Sequence, residues 1–231
     1  MRLSTRLLAS TLFVCVLLFG QQKTTPQDFT ITLTGDSIIT QRLSVHQPDP
    51  RFMAVLNAVR EGDAVFTNLE ILFHNYEAPP AAQSGGTWLR GDSSLLKELQ
   101  WIGFNLFGAA NNHSLDYGIE GLRIHSRVLQ EAGVTFAGIG ENLGEARAPA
   151  YLETARGRMA LVSCASTFSP SSPAGVQRPD LRGRPGLDPL RFRTRYRVDA
   201  AALAALRKIK EDLKLGAAAE LVRVEPDSPS A

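Results

Sequence analysis

Strand-like and helix-like segments alternate along most of this chain, and that order constrains the fold more than any other feature. Short apolar runs and period-two patterns predict strands, and apolar residues three or four apart predict helices. The predicted strands are 29–33, 64–69, 104–110, 134–139, 151–154 and 159–165, and the predicted helices are 52–59, 95–102, 119–132 and 203–213. This alternation predicts an α/β domain with a mostly parallel sheet covered by helices. Ligands of such sheets bind beyond the carboxyl ends of the strands, so the residues there are the candidates for chemistry.

The N-terminus has the pattern of an export signal. Arg2 and Arg6 precede an apolar run at 7–20, and polar residues follow it. This order predicts a signal peptide over 1–22 and therefore an exported, periplasmic or extracellular protein. The apolar run is shorter than the roughly 20 residues that span a membrane, and an uncleaved membrane anchor is the alternative.

The charge and the cysteine content argue against a nucleic-acid-binding protein and against one that is stabilised by an intrachain disulfide. The formal net charge is only +2, so no strong field favours nucleic acid as a partner. The two cysteines are Cys15 and Cys164, and removal of the signal peptide would leave one, which excludes an intrachain disulfide. The strand pattern around Cys164 predicts a buried structural thiol.

Polar side chains follow three of the predicted strands. The candidates are Asp36 after the first strand, Asn68 and Glu70 after the second, and Asn111, Asn112, His113 and Asp116 after the third. Asn68 and Glu70 share a face because side chains alternate along a strand. Oxygen and nitrogen donors of these types suit divalent Mn, Fe, Zn or Mg. Asp116 has two interpretations, as the N-cap of the following helix or as support for an active site.

Four motifs, in order, resemble those of the CapA family of capsule and poly-γ-glutamate synthesis proteins. They are TGD at 34–36, GDAVFTNLE at 62–70, ANNHSLDYG at 110–118 and GIGEN at 138–142. The family in turn is similar to calcineurin-like metallophosphatases. The resemblance implies a layered β-sandwich flanked by helices, incomplete at the C-terminus, with a domain over 28–215 and a tail over 216–231.

The resemblance also implies a role for each candidate residue. Asp36, Glu70 and Asn112 would be metal ligands, His113 would protonate the leaving group or approach the phosphate, Asp116 would orient His113, and Asn68 and Asn111 would contact substrate. Two divalent ions about 3.5–4 Å apart would activate a hydroxide and neutralise phosphoryl charge.

Seven arginines lie within 178–197, inside a longer segment, 167–197, that is rich in Pro, Ser and Gly and has no periodicity. Arginine binds phosphate and carboxylate through a two-pronged fork. One interpretation is that Arg182 and Arg184 clamp an anionic polymer or a phosphorylated substrate. The alternative is a solvated loop whose basic residues face water.

The sequence departs from the family pattern in its histidines. All four precede residue 126, whereas the family supplies further histidines from later strands. We therefore expect an N-terminal fragment with an incomplete metal site and little catalysis. His46, His74 and His125 are expected at the surface or in loops.

Two functions remain open from the sequence. The first is an exported, metal-dependent phosphoesterase-type hydrolase of capsule or poly-γ-glutamate biosynthesis. The second is a non-catalytic protein with a degenerate metal site, which binds a polyanion or a membrane-bound synthase. A dinucleotide-binding domain is disfavoured because Gly138 and Gly140 lack the third glycine of that motif.

Overall fold

The computed structural model describes residues 28–84, 86–193 and 195–214. Its helices are α1 (Pro50–Val59), α2 (Leu96–Ile102), α3 (Gly118–Glu131), α4 (Leu143–Ala146) and α5 (Ala200–Asp212). Its strands are β1 (Ile31–Asp36), β2 (Ala64–Asn68), β3 (Leu72–Phe73), β4 (Arg90–Gly91), β5 (Leu106–Gly108), β6 (Thr135–Ala137), β7 (Ile139–Gly140), β8 (Ala150–Thr154), β9 (Gly157–Leu161) and β10 (Gly186–Leu187). None of the helices within these ranges is long and apolar enough to cross a membrane.

The central sheet has four parallel strands in the order β1-β2-β5-β6. The prediction of a mixed α/β fold with a parallel sheet flanked by helices is therefore confirmed. Three smaller pairs accompany the sheet: β3 with β4, the antiparallel hairpin β8–β9, and β10 antiparallel to β7. The second layer of a β-sandwich stays a prediction.

The main hydrophobic core joins the central sheet to three helices. Its buried members include Leu56 of α1, Leu99 of α2, Leu129 of α3, and Val65 and Phe107 of β2 and β5. The helical residues recur at helical spacing, and this spacing presents one apolar stripe from each helix to the sheet. The core thus fixes β2 and β5, whose carboxyl ends carry most of the candidate residues.

Capping residues set the helix starts. Asp199 accepts a hydrogen bond from the Ala202 N–H at 2.7 Å, as its position before the last helix predicts. Asp49 caps α1 in the same way through the Arg51 N–H at 2.9 Å, and Pro50 follows at the first helical position.

Two expectations about buried residues are wrong. Cys164 is exposed, because burial alternates along 157–164 and places it on the same solvent-facing side as Ala160 and Val162. His125 is buried inside α3, where its Nδ1 accepts the Phe73 N–H at 2.9 Å and ties the helix to β3. His74 lies in the loop after β3 but is buried as well, whereas His46 is exposed as expected.

The buried His125 makes the fold sensitive to acid. Burial, with a smaller contribution from His74, lowers the pKa of His125 from 6.5 to about 3. Below pH 6.5 this histidine binds a proton in the unfolded chain but not in the folded chain. The free energy of unfolding therefore falls as the pH drops from 6.5 toward 3. The loss from this residue alone is roughly 1.4 kcal/mol per pH unit.

We expect His125→Gln to reduce this acid sensitivity. Glutamine offers an oxygen to the Phe73 N–H but does not titrate. Urea unfolding at pH 7.5, 6 and 5 should show a smaller fall in the free energy of unfolding for the variant than for the wild type. His46→Gln, at an exposed position, is the control. Equal falls in the wild type and His125→Gln would show that His125 is not the titrating group.

Candidate functional site

The candidate site lies where three neighbouring parallel strands end. Asp36 at the end of β1 stands opposite Asn68 at the end of β2, and Asn68 stands opposite Gly108 at the end of β5. An irregularity between Leu33 and Asp36 shifts the register of β1 just before this point. The sheet therefore delivers the residues that follow β1, β2 and β5 to one edge, as the sequence predicts.

The side-chain amide of Asn68 joins groups from all three strand ends. Its Nδ2 donates to Asp36 Oδ1 at 2.9 Å and to Glu70 Oε2 at 3.3 Å. Its Oδ1 accepts from Asn111 Nδ2 at 3.2 Å. Asn68 thus holds two carboxyl groups next to each other and links them to the turn after β5.

Asn111 is buried, and its side chain holds the turn after β5 in shape. Its Nδ2 also donates to the Leu69 carbonyl at 3.0 Å, and its Oδ1 accepts the His113 N–H at 3.0 Å. Its own N–H donates to Ser114 Oγ at 2.8 Å. These bonds position His113, and the substrate contacts predicted for Asn68 and Asn111 stay predictions.

His113 and Asp116 form a buried pair. His113 Nδ1 lies 2.8 Å from Asp116 Oδ2, which also accepts the Leu89 N–H at 2.7 Å. Asp116 is 1% exposed. The helix that follows has Tyr117 as its N-cap, with no capping side-chain bond, so Asp116 supports His113 and does not cap α3. This leaves His113 Nε2 3.7 Å from Glu70 Oε1.

The two neighbouring carboxyl groups perturb each other. Burial, a hydrogen bond from Asp36 and the charge of Asp36 together raise the pKa of Glu70 above its ordinary value. Hydrogen bonds with Asn68 and Glu70 lower the pKa of Asp36. The charge of Asp36 thus disfavours ionisation of Glu70, whereas the hydrogen bonds at Asp36 favour the ionised form of Asp36 itself. The pair is therefore a place where a proton or a cation relieves repulsion.

The donors fit a metal ion only in part. Carboxylate oxygens suit a hard divalent cation, and a histidine held by a carboxylate is a common arrangement around metals. However, no three His, Cys, Asp or Glu side chains among the described residues are arranged to hold a metal ion. Asn112, the third predicted ligand, lines a cavity with Gln83 and Ser84. Metal binding by Asp36, Glu70 and Asn112 therefore stays a prediction.

The two arginines of the predicted clamp lie in different surroundings. Arg184 lines the same cavity as Asn112 and Asp116, and its Nη2 donates to the Pro173 carbonyl at 2.6 Å. Arg182 is exposed. The pKa of Glu141 is lowered mainly by the hydrogen bond from Arg123, and the charge of Arg182 adds a smaller effect. The structure therefore brings Arg184, and not Arg182, to the wall beside Asp116.

Sequence reasoning missed the side chains that surround this cavity. Gln83 and Ser84 come from the connection between β3 and β4, and Phe168 and Ser169 come from the segment after β9. Both connections are long and carry no periodic pattern. The length of these two connections was the one sequence feature that pointed to them, because long loops inside compact domains are often functional.

A family model, described as bacterial capsule synthesis protein PGA_cap, matches residues 30–222. The chain belongs to this family. Its relatives include two uncharacterized proteins of Sinorhizobium fredii, y4sH and y4uA, each 39% identical over 80% of this chain. The capsule biosynthesis protein CapA of Bacillus anthracis is 23% identical over 48% of this chain and 29% of its own length. The chain spans 41% of the length of the two Sinorhizobium proteins.

We expect Asp36→Asn to lower the pKa of Glu70. The substitution removes a negative charge and a carboxyl hydrogen bond, both of which disfavour ionisation of Glu70, while its burial remains. NMR titration of a chain labelled in its glutamate carboxyl carbons would follow Glu70 directly. Asp180→Asn, which alters an exposed carboxylate paired with Arg178, should leave the Glu70 titration unchanged. An unchanged Glu70 pKa in Asp36→Asn would show that the two carboxyls do not interact.

Proposed function

We propose that this chain supplies part of the active site of an exported, metal-dependent phosphoester hydrolase of capsule or poly-γ-glutamate biosynthesis, built as a layered β-sandwich. The observation that supports this most directly is the His113–Asp116 pair directed at the Asp36–Glu70 carboxyl pair. An imidazole held in one orientation beside two carboxyl groups is suited to proton transfer next to a bound ion. Membership of the capsule-synthesis family supports the biological setting.

His113 would act on the leaving group. Asp116 holds the ring through Nδ1, so Nε2 is the nitrogen that faces the carboxyl pair and can give a proton to a departing oxygen. Asp36 and Glu70 would bind a divalent cation, with Asn68 keeping the two carboxyls in place and Asn112 as a further ligand. Such a cation, when bound, polarises a phosphoryl oxygen and lowers the pKa of water.

The partners follow from the same proposal. The substrate would be a phosphorylated molecule or an anionic polymer, and the protein would work beside a membrane-bound synthase on the outer side of the cytoplasmic membrane. Nucleic acid is not among the proposed partners, since the net charge of +2 gives no basic field.

Metal binding tests the carboxyl pair. Calorimetric titration of the chain with Mn²⁺ at pH 7.5 should show binding that weakens at least about tenfold in Asp36→Asn and in Glu70→Gln. Glu131→Gln, which changes an exposed carboxylate at the C-terminal end of α3, is the matched control. Affinity should fall as the pH drops through the raised pKa of Glu70, because a protonated carboxyl does not bind the cation. Equal Mn²⁺ affinity in all four proteins would remove these two residues from any metal site.

Leaving-group dependence tests His113. We expect His113→Gln to lower the rate of hydrolysis of an alkyl phosphate ester by about 10²–10⁴-fold. The loss should be much smaller for a nitrophenyl ester, whose leaving group needs no proton. His46→Gln, at an exposed histidine, should behave as the wild type. An equal loss for both esters would mean that His113 does not protonate the leaving group.

A non-catalytic role is the second candidate, and two observations favour it. The described residues do not complete a metal centre, and the pKa of Glu70 is raised, so its ionised, metal-binding form is harder to reach. A protein of this kind would bind a polyanion or a synthase without turnover. Absence of both Mn²⁺ binding and ester hydrolysis in the wild-type chain, with polyanion binding retained, would select this role.

A further inference from the structure

Two cavities adjoin beside the His113–Asp116 pair, with volumes of about 420 and 450 Å³. They share four polar lining residues, Gln83, Ser84, Asn112 and Ser169. We call the combined space the loop cleft. Its volume is in the range of cavities that hold small ligands.

Hydrogen bonds hold the walls of the loop cleft in place. The Ala81 N–H donates to the Asp116 carbonyl at 2.8 Å, which fixes the β3–β4 connection to the turn that carries His113 and Asp116. Trp88 Nε1 donates to the Ala81 carbonyl at 2.8 Å. Across the cleft, Ser169 Oγ donates to Gln83 Oε1 at 3.3 Å. The two loops therefore form walls that are tied to each other and to the candidate site.

The lining combines uncharged polar groups and aliphatic side chains with one aromatic ring, one guanidinium and the carboxyl group of Asp116. Hydroxyls and amides come from the four shared residues, and Phe168 lies at one end. Arg184 lies at the other end, where the first turn of α3, with Gly118 and Ile119, also faces the space. A helix N-terminus and a guanidinium both favour an anion. Hydroxyls and amides next to an aromatic ring suit a ligand with many hydroxyl groups and an apolar face.

Asp116 connects the loop cleft to the proposed chemistry. It lines the cleft, it is almost fully buried, and its Oδ1 has no hydrogen-bond partner within the described part of the chain. Its Oδ2 is the atom that holds His113. A ligand in the cleft is therefore separated from His113 by a single side chain.

We propose that the loop cleft binds a carbohydrate that carries an anionic group, either a carboxylate or a phosphate. The anion lies at the Arg184 end and the sugar ring at the Phe168 end. This inference rests on the proposed function, for which it supplies the substrate class: an acidic or phosphorylated sugar unit. The two anions share one chemistry, and the experiment separates them.

Binding to the full chain tests the proposal without any need for turnover. Calorimetric titrations would compare oligomers of glucuronate, glucose 6-phosphate, neutral glucose oligomers and poly-γ-glutamate. We expect one or both acidic sugars to bind, and the neutral sugar to bind at least about tenfold more weakly because the contact with Arg184 is lost. Poly-γ-glutamate has carboxylates but no hydroxyls, and it should bind more weakly than the acidic sugar.

Three variants distinguish a specific site from general attraction of anions. The double change Gln83→Ala with Ser84→Ala should weaken acidic-sugar binding by roughly tenfold, from the loss of two hydrogen-bonding side chains. Arg184→Gln should lower the affinity for the acidic sugar to that for the neutral sugar while neutral-sugar binding is retained, whereas misfolding would abolish the binding of both. Arg182→Ala is the matched control, because it removes an arginine two positions away that does not line the cleft, and it should change nothing.

Two results would overturn the proposal. One is the absence of binding by either acidic sugar, and the other is equal binding of poly-γ-glutamate and acidic sugar that the Gln83 and Ser84 changes leave untouched. Failure of the proposed hydrolase function would give a different result from failure of the sugar site. In that case the wild-type chain would show no Mn²⁺ binding or no ester hydrolysis, while sugar binding would persist.

Discussion

The candidate site depends on one amide, that of Asn68. Two carboxyl groups at the ends of adjacent strands repel each other unless a donor, a proton or a cation lies between them. Asn68 Nδ2 provides such a donor to both Asp36 and Glu70, and its Oδ1 is held by Asn111. Asn111 in turn fixes the backbone of His113. The acid pair and the imidazole thus keep their relative positions through a single hydrogen-bonded chain that crosses three strands.

The sequence predicts the place of the site better than its internal contacts. Alternating apolar segments are enough to place Asp36, Asn68 and the turn at 111–116 at one edge, because parallel strands end on the same side. The contacts depend on register, and β1 shifts its register just before Asp36, which no periodic pattern reveals. The burial of His125 was open to prediction, because it lies three residues after Leu122 and four before Leu129, on the apolar face of α3.

The loop cleft was beyond prediction for a different reason. Its walls come from connections that lack periodicity, and their positions follow from hydrogen bonds between distant segments, such as Ser169 to Gln83. An arginine-rich segment likewise predicts anion binding, but it does not identify the arginine that lies beside the site. Only the fold separates Arg184, beside Asp116, from Arg182, beside Glu141.

What neutralises the Asp36–Glu70 pair determines what this site does. With a proton on Glu70, the pair keeps a single negative charge, on Asp36, whose hydrogen bonds lower its pKa. In that state the edge of the sheet offers a surface for recognition and does not attract a phosphate. With a divalent cation in place of the proton, the two ionised carboxylates would balance the charge of the cation, which could still bind a phosphoryl oxygen beside an imidazole that Asp116 already orients. Under the proposed function, the difference between a binding protein and a hydrolase therefore depends on the supply of further donors to the cation, because Asn68 and Asn111 already hold the carboxyl pair and the backbone of His113 in position.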